Sequence, residues 1–388
     1  MRRMTSKTTM WLPLLVLFAL AVISAGAWAQ ESHQFVELTN EYLLQLAEEI
    51  SPPMTPAPAG LTVRTPDDLK LTEEEEALLR TMDISTVYLI AHTDVTELLN
   101  KQGADEVLAT ICQDPVPFLG GDTLEQQLDQ LDGILAQPTR YSFIMAQPFG
   151  QKATADAFVD LSEAGVPLVF AWTPSAGIEG SQSYLGLILD DGYGRGYASA
   201  KMLAHALGGE GQVGMINFAV EFFSTDQRTL GAHAAFAEFP GIELVDERGF
   251  SDPANAGDTA RGMLGAHPEI DGIWTVWMDP CAYEVSDAVK DLGLEDRIVI
   301  TTTDLGGEAG ARRIADDSDP IIGTVDANSV QMGQNMARLG LKYLAGNLDF
   351  LGTFAPVTGY PIAKANLVEG FFFSQRRPLP DSIKDMLE

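Results

Sequence analysis

Trp172, Trp277, Asp279 and Asp304 each stand at or just beyond the end of a short apolar run in this 388-residue chain. An indole offers a flat apolar face and one N–H donor, and a carboxylate accepts hydrogen bonds. Together these groups suit recognition of a small solute by stacking and hydrogen bonding. They do not add up to a nucleophile with its base. The sequence holds no Gly-x-Ser-x-Gly elbow, no His-Glu-x-x-His, no Cys-x-x-Cys and no Gly-x-x-x-x-Gly-Lys loop. Its five histidines form no convincing metal set. Gly192, Gly194 and Gly196 have the look of a phosphate loop, but they follow Asp190-Asp191, read as a surface pair. No catalytic residue, metal or cofactor is therefore expected.

The elements that must position these residues alternate. Val87–Ala91, Tyr141–Ala146 and Leu168–Trp172 read as buried strands; Thr96–Ile111 and Ala153–Ala164 read as helices. Gln212–Asn217, Asp271–Val276 and Ile298–Thr303 continue the pattern. Apolar strands alternating with helices imply an α/β fold with parallel sheet covered on both faces. Such sheets bind ligands beyond the carboxyl ends of their strands. That rule selects Thr93 with His92 after the first strand, Gln147-Pro148-Phe149 after the second and Trp172 after the third. Further on it selects the Phe218–Arg228 loop, then Trp277 with Asp279, then Asp304. Asp279 either lines the site or caps the helix beyond Pro280.

The ends and the charge set the context. Arg2, Arg3 and Lys7 precede thirteen uncharged residues, Trp11 to Ile23, and Ala27-Trp28-Ala29 is a small-x-small cleavage site. Residues 1–29 thus read as a signal peptide and place the mature protein in the periplasm, without stable membrane insertion. The leader takes three of the 24 basic residues and none of the 55 acidic ones, leaving a balance of −34. Nucleic acid is not an expected partner of so acidic a chain. Residues 30–83 form an extension. Phe35, Leu38, Tyr42, Leu43, Leu46 and Ile50 recur at helical spacing, a proline-rich linker follows, and Thr72 caps a second short helix. Cys112 and Cys281 read as free and buried.

Residues 165–346 carry an ordered run of short pieces. Gly165-Val-Pro-Leu-Val-Phe-Ala171 is followed by Asp190-Asp-Gly-Tyr-Gly-Arg-Gly-Tyr197, Gly208-Gly-Glu-Gly211 and Gln212-Val-Gly-Met-Ile-Asn217. Asp226-Gln-Arg-Thr-Leu-Gly-Ala-His233, Ala266-His-Pro-Glu-Ile-Asp-Gly-Ile-Trp274, Ile298-Val-Ile-Thr-Thr-Thr-Asp304, Gly323-Thr-Val-Asp326 and Gln331-Met-Gly-Gln-Asn-Met-Ala337 complete it. The chain resembles the type I, sugar-type periplasmic binding proteins, such as the ribose- and autoinducer-2-binding proteins, over roughly residues 84–370. The resemblance implies two similar doubly wound parallel-sheet lobes and a hinge crossed near Leu187, Asp326 and Phe354. The lobes would be 84–187 with 327–354 and 188–326 with 355–370, followed by a tail, 371–388. The extension would wrap the surface, as in the autoinducer-2 receptor, or remain a loose arm.

The resemblance also implies roles. Arg228 matches the family arginine that offers donors to the ligand, and Asp304 an aspartate that accepts from ligand hydroxyls. Asp326 lies beside a family glutamine position. Small residues at 192–196 serve helix packing, and Arg195 falls on a helix outside the cleft. Three departures stand out: no aromatic pair follows Thr93, Trp172-Thr173 replaces an Asp-Arg clamp, and Met278 replaces an asparagine. The expected ligand is a small polyol, furanose or sugar derivative; a zwitterion or an organic cation between tryptophans also fits. The expected protein is a monomer that serves the permease of an ABC-type importer or, alternatively, a membrane sensor kinase.

Overall fold

The structure is a computed structural model that describes residues 35–91, 93–121 and 123–388. The predicted leader and His92 lie outside the described residues. The strands are β1 (Thr62–Val63), β2 (Thr86–Ile90), β3 (Phe118–Gly120), β4 (Phe143–Ala146), β5 (Leu168–Ala171) and β6 (Tyr184–Asp190). They continue as β7 (Glu210–Phe218), β8 (Gly241–Phe250), β9 (Gly272–Thr275), β10 (Val299–Thr303), β11 (Ile321–Asp326), β12 (Thr353–Val357) and β13 (Tyr360–Ala363). They make two sheets, ordered β1-β12-β6-β5-β4-β2-β3 and β13-β11-β10-β9-β7-β8. Every pairing is parallel except β11 with β13. The expected two-lobed, doubly wound fold is present. Burial of β2, β4, β5 and β6 along their whole length explains their unbroken apolar runs.

The helices are α1 (Asn40–Glu49), α2 (Glu73–Leu79), α3 (Val95–Thr110), α4 (Leu124–Leu135), α5 (Ala155–Glu163), α6 (Gly192–Ala206) and α7 (Phe223–Phe236). Then come α8 (Ala256–Ala266), α9 (Tyr283–Asp291), α10 (Gly307–Ala315), α11 (Ser329–Leu344), α12 (Leu367–Gln375) and α13 (Asp381–Lys384). The chain passes between sheets after β6, after β11 and after β12. The first and third passages fall a few residues later than the sequence suggested, because β6 runs to Asp190 and β12 to Val357 as full ladder members.

Each lobe contains a close helix pair made possible by glycine. A Cβ on Gly103 or Gly333 would collide with backbone of the opposite helix in the α3–α11 pair, and one on Gly196 or Gly231 would do so in the α6–α7 pair. Gly194 instead lies against the carboxylate of Asp191, which caps α6. The glycine triplet thus serves packing and capping. Asp190 and Asp191 are fully buried, so the expectation of a surface pair is wrong: β6 carries them inward.

The extension is packed on the molecule. Leu38, Leu43, Leu46 and Ile50 join the core of the second lobe, while β1 pairs with β12 at the edge of the first sheet. Between them Asp191 accepts from Met54 N (2.8 Å), Thr55 N (2.7 Å) and Thr55 Oγ1 (2.7 Å). Thr72 and Glu75 form a capping box on α2, and Glu75 also meets Lys342 of α11 at 2.9 Å. Cys281 is buried and Cys112 exposed, both free; Cys112 lies just past α3 with φ 61°, outside the core the sequence assigned it to. No helix among the described residues is long and apolar enough to cross a membrane.

Candidate functional site

β10 ends at Thr303, and Asp304 turns the chain with φ 64°, a left-handed conformation that costs a non-glycine residue energy. Two guanidiniums hold its carboxylate. Arg228 Nη1 donates to Asp304 Oδ2 at 2.9 Å and Arg195 Nη2 donates to Asp304 Oδ1 at 2.5 Å. Both arginines also reach Asp190, Arg195 through Nη1 and Arg228 through Nη2 at 2.9 Å. Ser224 Oγ donates to Asp190 as well, and Arg228 Nη1 donates to Thr303 Oγ1 at 2.9 Å. Burial pushes the Asp304 carboxyl up, but Arg195 and Arg228 outweigh it and hold it below its usual range. Asp326, which accepts from Leu305 N, is pushed up to about 6 by burial and by the neighbouring Asp304 charge.

This geometry changes two expectations. Arg195 is no bystander outside the cleft. It is fully buried and shares both carboxylate partners of Arg228. Arg228 does not offer five free donors; its Nε and Nη1 groups are engaged by Asp190, Asp304, Thr303 and the Val276 carbonyl. Asp304 keeps about a fifth of its side chain exposed and is the accessible edge of the cluster.

Trp172 occupies the matching place in the first lobe. β5 lies beside β6 and β4 as β10 lies beside β11 and β9, and Trp172 follows β5 with φ 65°. Its Nε1 donates to Glu97 Oε1 at 2.8 Å. The other oxygen of Glu97 accepts from Tyr88 Oη and from Asn100 Nδ2 (3.2 Å). Glu97 is buried in the first turn of α3, whose cap is Asp94. Burial, with a smaller push from the Asp94 charge, raises its pKa to about 8 against the pull of its three donors. Nothing in the sequence singled out Glu97 or Tyr88, and Asp190 was named only as one of a surface pair.

The remaining candidates are spread along the strand ends. Trp277 is half-buried and meets Phe218 and Phe250 edge-on, at centroid distances of 5.1 and 5.2 Å, so three second-lobe strands end in one aromatic cluster. Asp279 is exposed, and it is not the cap of α9, which begins at Tyr283 without a side-chain cap. Thr93 is exposed, with no partner role visible among the described residues. Phe222 and Phe223 are half-buried against core residues of the first lobe, and Lys152 meets Glu221 across the lobes at 2.6 Å. Arg228 and Asp304 are therefore in direct contact, Trp172 lies on the other lobe, and Trp277 follows Val276, whose carbonyl accepts from Arg228. No group of three or more His, Cys, Asp or Glu side chains that could hold a metal occurs among the described residues.

Two like sheets joined by three passages of chain, with a buried charge cluster beside the first two, define a two-lobed binding-protein architecture. The model of the periplasmic binding protein domain family matches residues 91–348, and the chain belongs to that family. Solved structures share the fold. An ABC transporter solute-binding protein from Agrobacterium vitis bound with alpha-D-tagatopyranose aligns with TM-score 0.65 and 20% identity, covering 74% of this chain and 97% of that one. One from Bacillus halodurans with bound myo-inositol gives 0.62 and 16%, covering 75% and 98%. The 5-methylthioribose transporter solute-binding protein from Thermotoga lettingae gives 0.61 and 16%, covering 78% and 96%. No curated protein matches the chain.

Proposed function

We propose that this protein is a periplasmic receptor that closes on a small, neutral, hydroxyl-rich solute and delivers it to an ABC-type importer. The observation that carries this reading is the Arg228–Asp304 pair at a strand end of one lobe, with Trp172 at the matching strand end of the other. Asp304 accepts from hydroxyls, and the indoles of Trp172 and Trp277 cover an apolar sugar face. Both guanidiniums are already engaged by carboxylates, which favours a neutral solute over a sugar acid or phosphate. Thr93 and Asp279 complete the set from the exposed rim. The solved relatives described as transporter components support import over signalling to a sensor kinase.

The same groups suit the binding of a solute: a hydroxyl acceptor and flat apolar ring faces stand at strand ends of the two lobes. Residues 1–29 act as the export signal. The lobes comprise residues 84–190 with 328–357 and 191–327 with 358–375, and the extension lies along both. Closure is driven by contacts that a solute makes only when both half-sites touch it. The test is calorimetry of the purified protein with D-tagatose, D-allose, myo-inositol, D-galacturonate and choline. Binding of a neutral polyol or sugar, with galacturonate at least a hundredfold weaker, supports the reading. Preference for galacturonate or choline over every neutral solute contradicts it.

A further inference from the structure

We propose that Glu97 is a positioning residue for the binding site, fixing the Trp172 indole at the strand end where it meets the ligand. The proposal rests on the receptor reading above for the word "ligand", but the coupling itself stands on geometry alone. A tryptophan with a left-handed backbone has few reasons to stay there, because its bulky side chain is poorly tolerated at positive φ. Here the ring is held from behind. The indole has one donor, Nε1, and Glu97 Oε1 takes it at 2.8 Å in a buried setting. Glu97 in turn cannot swing away, since Tyr88 Oη and Asn100 Nδ2 hold its second oxygen. Tyr88 is wholly buried on β2 with its ring 5.5 Å from that of Phe118 on β3, and Asn100 is pinned where α3 and α11 pack at Gly103 and Gly333. The indole orientation is thus set by three elements, β2, α3 and β5.

A structural role alone would not need a carboxyl. A neutral glutamine offers the same acceptor to the indole without the desolvation of a charge. Asn100 Oδ1 has no partner among the described residues, so the Asn100 amide can turn and accept from a glutamine Nε2 at position 97. The carboxyl therefore adds one thing that glutamine lacks, a proton that responds to pH. Asp94 from the cap of α3 is the charge that bears on Glu97; Tyr88 faces it from β2 and Trp172 from β5. Lys101 lies 5.9 Å from the Phe118 ring and is paired with Asp105, while α11 presents the uncharged Val330 and Gly333. With its proton on, Glu97 can donate to Tyr88 Oη and still accept from Trp172. With its proton off, it accepts from all three donors and grips the indole with a charged hydrogen bond.

The test reads the indole directly in the ligand-free, 15N-labelled mature protein. The Trp172 Nε1–H resonance is assigned by its loss in Trp172→Phe. It should shift with pH in the wild type, with a midpoint near 8. In Glu97→Gln it should remain at a hydrogen-bonded position and not titrate; in Glu97→Ala it should move to the position of a solvated indole. Calorimetry then uses D-tagatose, D-allose and myo-inositol. For a solute that binds the wild type, Glu97→Ala should weaken binding at least tenfold and Glu97→Gln less than threefold at pH 6, with the pH dependence of binding lost in Glu97→Gln. A Trp172 resonance unmoved in Glu97→Ala overturns the coupling. A solute whose affinity is unchanged by Trp172→Ala overturns the positioning role. If the indole titrates as expected but none of these solutes binds, the coupling is upheld and the sugar-receptor reading fails instead.

Discussion

Trp172 and Asp304 solve the same backbone problem with opposite electrostatics. Each follows the corresponding strand of its sheet, and each is a left-handed non-glycine residue gripped from behind by buried side chains. Behind Trp172 one carboxyl meets three neutral donors, and burial wins: Glu97 is pushed up to about 8. Behind Asp304 two guanidiniums meet two carboxylates, and pairing wins: Asp304 is held down. Removing a charge from water is costly in either place; only the second lobe supplies opposite charge to offset it. The first-lobe cluster is therefore sensitive to rising pH and the second-lobe cluster to acid.

The largest effect that can break this comparison is on Arg195. Arg195→Ala leaves Asp190 and Asp304 sharing Arg228 alone, in a site where Arg195 and Asp190 are fully buried. Urea denaturation should show a loss of about 3–5 kcal/mol. A loss under about 1 kcal/mol would mean that the cluster is solvated and that the contrast with Glu97 is false.

Arg228→Ala comes next. It should weaken solute binding by about 2–4 kcal/mol, roughly 30- to 1000-fold by calorimetry. Unlike a residue in an open cleft, it should also lower stability, because Asp190 loses one of its two guanidinium partners. Binding within about threefold of wild type, roughly 0.7 kcal/mol, would remove Arg228 from the site.

The pH contrast gives a smaller effect of defined sign. Glu97 binds its proton more tightly in the folded state, so its contribution to stability is full below the unfolded value and declines as pH rises toward about 8. Glu97→Gln should remove that decline: its urea midpoint should gain on wild type between pH 6 and 9. Asp304 works the other way. Its contribution is present above the unfolded carboxylate value and is lost as pH falls through its lowered folded value. Equal pH slopes for wild type and Glu97→Gln would erase the difference between the lobes.

Smallest is the surface pair between the lobes. Lys152 and Glu221 are 76% and 56% exposed, so Lys152→Ala should change stability by less than about 0.5 kcal/mol. A larger loss would shift the weight of lobe contact away from the buried cluster.

The fold was legible because the strands are apolar runs with helices between them, and Trp172 and Asp304 do directly follow β5 and β10, as read from the sequence. What escaped was of two kinds. Short or polar strands escaped: β3 has three residues, and β8 carries Glu243, Asp246, Glu247 and Arg248 along a sheet edge. Buried charge also escaped. Asp190-Asp191 read as a surface pair because such residues usually are solvated, and Arg195 was placed on a helix outside the cleft. The Asp304 partner of Arg195 lies 109 positions away, and the Trp172 partner of Glu97 lies 75 away. Asp94-Val-Thr-Glu97 has the pattern of a helix cap, and Asp94 does accept from Glu97 N. Only the fold shows that the Glu97 side chain turns inward.

Small-angle scattering of the mature protein, with and without a saturating neutral solute identified by calorimetry, tests the central claim most directly. A receptor whose two half-sites join around one solute should become more compact on binding, and Arg228→Ala should need more solute to reach the same compaction. An unchanged radius of gyration at saturation would contradict closure of the two lobes on the ligand.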